Sequence, residues 1–346
     1  MTQIDPVAEG TATSVETSRS DPRREASDQT VVIVAGADDK FALGLSVALF
    51  SAVRHLDPHR DAHVFVLDGG LSPSNRDRCR AALASLRPDI QVTVVDNDPE
   101  RFANYNIHWY SRAAFLRLLI PEIVPERYRR VLYLDSDLVV SDDVSKLWRL
   151  PDEGKAFWAA HDEGVRGTDY VQQTLNFADV PADAPYFNSG VMLIDLPRWK
   201  AARVSERAQA ILGEHSDRCI NVDQDALNIV SVGNWSVLPP RWNFQVAGSQ
   251  SWSAPPAPGE TIGITHFINE KPWNPDTRCL RQATFDEALR ASGWYTTQQF
   301  WRHRLRKQST ALKFWLRTSP ALNLLRRVRR RIAREARRAL SSARAS

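Results

Sequence analysis

Short apolar runs alternate with segments of helical periodicity through the first half of the chain. Residues 30–35 (TVVIVA) are β-branched and closed by Gly36, which reads as a buried strand. Residues 41–56 read as a helix ended by Asp57-Pro58, and 62–67 as a second strand stopped at Asp68-Gly69-Gly70. Ser72 and Pro73 open a helix to about Leu86, and a third strand follows at 90–95. A helical stretch at 112–120 stops at Pro121, and 131–134 is a fourth strand. This alternation predicts βαβ crossovers and an α/β fold, with a Rossmann-like, mainly parallel central sheet carrying helices on both faces. Beyond Leu150 the rhythm is less regular. Residues 156–160, 191–194 and 262–265 are strand-like, 203–212 and 224–230 helical, and 239–243 and 254–258 loop-like. No internal repeat is evident. The substrate-selective part is expected between about Leu150 and Trp273, inside the same domain.

In parallel sheets ligands bind beyond the carboxyl ends of strands, and the fourth strand ends in Asp135-Ser136-Asp137 before a second apolar run, 138–140. Carboxylates are costly to bury without a neutralising partner. Two of them at spacing two lean the same way and suit a hard divalent cation, which in turn suits a diphosphate. Two acids simply facing water at a strand end fit this segment alone equally well.

Four other segments carry candidate chemistry. AGADDKF (35–41) follows the first strand, where Asp38 and Asp39 can accept hydrogen bonds from a base or ribose or can favour a helix N-terminus. It is neither a G-x-G-x-x-G nor a phosphate-cradling G-x-x-x-x-G-K-S/T loop. PYFNSGVMLIDL (185–196) sets Asn188 and Gly190 at a tight turn before a strand, where Gly190 permits close approach. NVDQDALN (221–228) opens a helix that Asp223 can cap. HFINEKPW (266–273) puts His266 after an apolar strand as a third metal ligand, with Lys271 as a point charge for a phosphate oxygen. Each has an ordinary structural explanation when taken singly. Five such segments in this order are not expected by chance.

The order and content of these motifs resemble the retaining glycosyltransferases of family 8: bacterial α-galactosyl- and α-glucosyltransferases and the glycogenins. The resemblance spans about residues 31–275 and rests on AGADDKF, FLRLLIPE, VLYLDSDLVV, YFNSGVMLIDL, DQDALN and HF…KPW. It implies a single A-type glycosyltransferase domain and a UDP-hexose donor, with Mn2+ (or Mg2+) held by Asp135, Asp137 and His266. It also implies donor contacts from Asp38, Lys40, Arg117, Ser136, Asp225 and Lys271. Asn188, Asp223 and Gln224 would surround the reacting sugar, with Gln224 on its β face, and Asp162 would line the acceptor side. The amide of Gln224 is a poor nucleophile, so same-face attack is expected rather than a covalent intermediate. Three departures stand out. Lys40 replaces a small polar residue common in the family. HFINEKPW is one residue shorter than H-x-x-G-x-x-K-P-W and lacks its glycine. Trp109 falls where some members carry a donor-binding histidine.

Composition narrows the setting. Three dispersed cysteines, Cys79, Cys219 and Cys279, form neither a disulfide framework nor a zinc site and fit a reducing, cytoplasmic compartment. Residues 1–29 are polar, without a secretory pattern, and read as a disordered tail before a domain at 30–299. The net charge of +4 hides an asymmetry: residues 300–346 carry 15 Lys or Arg against one acid, so the rest of the chain is net acidic. Apolar residues interleaved with these arginines predict a basic amphipathic tail for an anionic membrane surface, peripheral on the inner face of the plasma membrane, with a solvated, partly disordered tail as the other reading. No nucleic-acid recognition module accompanies the charge. The expected acceptor is a hydroxyl of a cell-envelope glycan or glycolipid. A catalytically inactive nucleotide-sugar-binding protein and a nucleotidyltransferase are the competing readings.

Overall fold

The β-branched run near the start forms β1 (Thr30–Ala37), because alternate residues can be buried on both sheet faces at once. Val31, Ile33 and Ala35 join one core cluster and Val32 and Val34 the opposite one. The structure, a computed structural model, describes residues 30–98 and 100–318, with side chains as far as residue 308. The expected N-terminal tail and residues 319–346 of the basic tail lie outside the described residues.

A seven-stranded sheet is ordered β3-β2-β1-β4-β7-β6-β8. Its further strands are β2 (Asp61–Asp68), β3 (Gln91–Asp96), β4 (Arg130–Leu134), β6 (Phe157–His161), β7 (Phe187–Asp195) and β8 (Trp235–Val237). β1, β2, β3 and β4 are mutually parallel, as is the β6–β8 pair. β7 runs antiparallel to both β4 and β6, so the mainly parallel sheet carries one reversed strand. A second sheet, ordered β10-β9-β11-β5, contains β5 (Leu138–Val140), β9 (Phe244–Ala247), β10 (Gln250–Ser251) and β11 (Ile264–Ile268). The chain therefore changes sheets between β4 and β5, and Asp135-Ser136-Asp137 is the crossing.

Helix α1 (Ala42–His55) packs against both β1 and β5. A helix covered on several sides is apolar all round rather than amphipathic, and α1 is buried from Leu45 to Val53 without interruption. α2 (Pro73–Ala84) flanks α1. On the other face lie the 3-10 segment Arg112–Leu119, α3 (Val204–His215) and α4 (Val222–Val230). α5 (Gln282–Ala291) and α6 (Thr297–Thr318) close the described chain.

Several local expectations change. Asn188-Ser189-Gly190 lies inside β7 rather than at a turn, because β7 continues through these residues to pair with β6 and β4. His266 lies within β11, paired opposite Leu138 of β5, rather than after the strand. Asp223 is the second residue of α4 and caps nothing; Asn221 precedes the helix. The 112–120 segment is 3-10 up to Leu119.

Candidate active site

The sheet change places both aspartates beside His266. The ligand-type atoms of Asp135, Asp137 and His266 all lie within 4.8 Å of one another. His266 Nε2 is 3.1 Å from Asp137 Oδ1 and 3.8 Å from Asp135 Oδ2. The pairing of β5 with β11 fixes this: Phe267 N–H donates to the Asp137 carbonyl at 2.9 Å. The other ring nitrogen, Nδ1, meets Asn243 Oδ1 at 3.0 Å, which leaves Nε2 toward the carboxylates. A second partner of this kind orients a metal-binding imidazole.

The remaining carboxylate oxygens are already assigned. Asp137 Oδ2 accepts from Lys271 Nζ at 2.5 Å. Burial pushes the Asp137 carboxyl up, but Lys271 and His266 together hold it well below the usual carboxylate range. Asp135 Oδ1 accepts from Tyr133 OH at 2.7 Å and Arg117 Nη2 at 2.9 Å, which leaves Oδ2 facing His266. Hard oxygens and an imidazole around one point suit Mn2+ or Mg2+. The neighbouring backbone leaves space for this convergence. A Cβ built on Gly190 would sit 2.2 Å from His266 Cε1 and 2.8 Å from Asp135 Oδ2, so glycine leaves these two groups the room to approach each other.

Tyr133 stands two residues before Asp135 on the same strand face, and the Arg117 guanidinium lies 4.5 Å over its ring. Tyr133→Phe is expected to weaken Mn2+ affinity by about tenfold, as loss of an outer hydrogen bond to a metal ligand commonly does. A titration followed by electron paramagnetic resonance reads this; an unchanged affinity removes Tyr133 from the site.

Arg117 stands at the cavity wall with its guanidinium engaged by the protein. It is 5% exposed and turned inward, pairing with Asp223 Oδ2 at 2.8 Å and donating to the Ser189 carbonyl and hydroxyl at 2.7 and 2.8 Å. It ties Asp135, Asp223 and β7 together. Burial pushes the Asp223 carboxyl above the usual range, and the Arg117 charge works against that shift. Asp225 is fully buried behind the cavity, accepting from Tyr186 OH at 2.5 Å, Tyr170 OH and Asn221 N–H. It braces α4 and does not line the cavity. Lys40 is exposed and also outside the lining.

The other expected residues come together around a cavity of about 590 Å³ lined by Asp38, Arg117, Asp135, Ser136, Asp137, Asp162, Asn188, Asp223, Gln224, His266 and Lys271. Gln224 is held rigidly. Its carbonyl accepts from Ser189 N–H at 2.9 Å, and its amide donates to Asp162 Oδ2 at 2.9 Å and Tyr186 OH at 3.2 Å. Asn188 donates to the same Asp162 oxygen at 3.0 Å. At the far end Asp38 accepts from Ser111 OH at 2.7 Å and from Lys40 and Phe41 N–H. Trp109, Tyr110 and Trp252 also line the cavity, and Trp109 is 70% exposed. The missing glycine of HFINEKPW has a local replacement. Asn269 adopts φ +62°, the left-handed conformation that asparagine tolerates better than most residues.

Tyr133, Ser189, Asn243 and Tyr186 also build the site, and none belongs to the residues the motifs single out. Tyr133 was detectable from its spacing to Asp135. Asn243 lies in PPRWN, 23 residues from His266, and no local signal joins them.

A family model described as Glycosyl transferase family 8 matches residues 32–277. General stress protein A of Bacillus subtilis (strain 168) is 31% identical over 282 residues, 78% of this chain and 96% of that protein. The lipopolysaccharide 1,3-galactosyltransferase of Salmonella typhimurium is 24% identical over 247 residues, 70% of this chain and 72% of that protein. Among solved structures, the galactosyltransferase LgtC in complex with donor and acceptor sugar analogues matches with a TM-score of 0.65 and 26% identity. That match covers 79% of this chain and 99% of the other.

Proposed function

The chain belongs to glycosyl transferase family 8, and from that premise we propose that it moves a hexose, glucose or galactose, from a UDP-sugar to a hydroxyl of a cell-envelope glycan or glycolipid, with retention and an α linkage. The observation that carries this is the convergence of Asp135, Asp137 and His266 around the space Gly190 leaves, at the wall of one cavity. Those three residues would hold Mn2+ or Mg2+. When bound, the ion supplies charge that stabilises the departing diphosphate.

The chain's own groups do the rest. Lys271 stands within reach of an anion beside Asp137 and offsets leaving-group charge, which is preorganised electrostatic stabilisation. Asp38 and Ser111 offer acceptors for the nucleoside end, and Ser136 lies between the two aspartates. Asn188, Gln224 and Asp162 form a fixed polar surface for the sugar and the approaching acceptor.

A double displacement needs a free nucleophilic carboxylate near the sugar. Asp223 is paired with Arg117, Asp225 is locked between two tyrosines, and Asp162 accepts from Asn188, Gln224 and Gly164 N–H. The Gln224 carbonyl is engaged by Ser189. This supports same-face attack, in which the acceptor oxygen bonds the anomeric carbon as the sugar–phosphate bond breaks and the acceptor proton passes to the departing phosphate oxygen. A covalent sugar adduct on Asp223 or Asp225 would overturn it.

Incubation with Mn2+ and UDP-glucose or UDP-galactose is expected to release free UDP. Pyrophosphate release from a nucleoside triphosphate and sugar phosphate points to a nucleotidyltransferase instead. Tight UDP binding without turnover points to an inactive sugar-nucleotide binder.

The exposed face of α6 supports an anionic membrane surface as partner. Trp301 and Leu305 are 45% and 60% exposed, one helical turn apart, with Arg302 and Arg304 beside them. No helix among the described residues is long and apolar enough to cross a membrane. This suits a peripheral enzyme on the inner face of the plasma membrane. Deleting residues 319–346 is expected to lower binding to anionic liposomes at low salt while UDP-sugar hydrolysis persists. Equal liposome binding by the deletion variant would remove residues 319–346 from membrane docking.

A further inference from the structure

Three consecutive residues of the loop after β11 are fixed in three directions. Lys271 donates forward to Asp137 and to the Phe267 carbonyl. Trp273 packs edge-on to Phe41 with ring centroids 5.6 Å apart and lies 5.8 Å from Phe285. Its ring comes so close to α1 that a Cβ on Gly44 would lie 2.6 Å from it. Between them, the Pro272 carbonyl points away from the cavity. It accepts from Gln282 Nε2 at 3.0 Å and from Lys307 Nζ.

Lys307 lies on α6, in a stretch read from sequence as the start of the basic tail. Its neighbours Arg304, Leu305, Arg306 and Gln308 are exposed, yet Lys307 is 9% exposed. Its bonded partners among the described residues are neutral oxygens: the Pro272 carbonyl and Gln282 Oε1, the latter at 2.9 Å. Burying an ammonium is costly unless its hydrogen bonds are made, and burial lowers the Lys307 pKa. Phe300, one face-repeat earlier, is buried in the core cluster that includes Phe285. The first turns of α6 are thus packed into the domain, and an arginine-rich helix spends one of its cations on a backbone oxygen adjacent to Lys271.

We propose that Lys307 is a positioning residue for Lys271: by holding the Pro272 carbonyl it fixes the loop that aims the lysine ammonium at the donor diphosphate, so α6 is a working part of the donor site. This rests on the reading that Lys271 faces the diphosphate of a UDP-sugar. The loop has particular need of such a brace, because it is short and turns through Asn269 at positive φ instead of a glycine.

The test uses the full chain carrying Lys307→Met, with calorimetric Kd values for UDP in the presence of Mn2+ and for Mn2+ alone. The expected result is a UDP Kd raised about tenfold, the loss of one well-made charged hydrogen bond, with Mn2+ affinity not weakened. Lys307→Arg should restore part of the UDP affinity. In a Lys271→Ala background, Lys307→Met should add little, because the two act on one contact. Gln282→Leu, which removes the second donor to the same carbonyl, should shift UDP affinity the same way and covers the case in which Lys307→Met does not fold. A wild-type UDP Kd in both Lys307→Met and Gln282→Leu overturns the proposal, as does an additive loss in the Lys271→Ala background. Wild-type protein that binds no UDP at all would instead bring down the functional reading beneath it.

Discussion

Gly190→Ala is expected to abolish metal-dependent UDP release while the protein remains folded. The new Cβ would lie 2.2 Å from His266 Cε1, 2.9 Å from His266 Nδ1 and 2.8 Å from Asp135 Oδ2. None of the three parties can easily give way. β7 is pinned here because the Gly190 carbonyl accepts from Asp135 N–H at 2.8 Å. His266 is 3% exposed and held through Nδ1 by Asn243. Asp135 is held by Tyr133 and Arg117. Overpacking of this kind costs about 1–3 kcal/mol, which lowers the melting temperature by several degrees without unfolding the domain. The displaced imidazole and carboxylate should cut Mn2+ affinity by at least about 100-fold and turnover by at least about 10³-fold. Electron paramagnetic resonance reads the first and UDP release the second. Wild-type Mn2+ affinity in the alanine variant would show that the ion binds elsewhere.

Asp137→Ala should be equally severe for a different reason. Asp137 accepts from Lys271 and lies 3.1 Å from His266 Nε2, so its removal deletes one metal ligand and leaves the Lys271 ammonium without its carboxylate partner. A loss of about 10³-fold or more in UDP release is expected. The stability cost should be smaller than for a fully buried pair, because the Lys271 side chain is 17% exposed and keeps some contact with water. Chelation of the wild-type protein should reproduce the loss, and added Mn2+ should restore the wild type but not the variant. Normal turnover by Asp137→Ala would remove the D-S-D sequence from the reaction.

Much of the architecture follows from local pattern. The β-branched run of β1, the Pro73 helix start and the apolar runs around 62–67 and 131–134 each appear within a residue or two of their expected place, because burial on both sheet faces leaves a continuous apolar signature. What the pattern did not show was direction and layer. Nothing in residues 187–195 distinguishes an antiparallel central strand from a parallel one, and nothing in Leu138-Val139-Val140 shows that it belongs to another sheet. The turn expected at Asn188-Ser189-Gly190 is a strand because cross-strand pairing overrides the local turn preference of those residues.

Within the site, the difference between identity and role is similar. Arg117 was recognisable as a residue of the site, but its inward hydrogen bond to Ser189 and its ion pair with Asp223 come from elements 72 and 106 residues away. Asp225 is a sugar-side candidate only through the family resemblance. The 3.6-residue helical period instead turns it to the far side of α4, toward Tyr170 and Tyr186. Lys307 was indistinguishable from the surrounding arginines, since only packing shows which face of α6 meets the domain.

The chemistry present is written in the chain: two aspartates at spacing two, an imidazole, a lysine, an amide and a glycine, in strand- and helix-forming frames. Tertiary structure alone decided which of these face one another. A change of sheets between β4 and β5 brings Asp137 to His266 across 129 residues, and a register fixed by backbone pairing sets their separation. Local forces choose elements one stretch at a time, whereas a metal-type site needs atoms from distant strands within a few ångströms, and only the packing of two sheets supplies that.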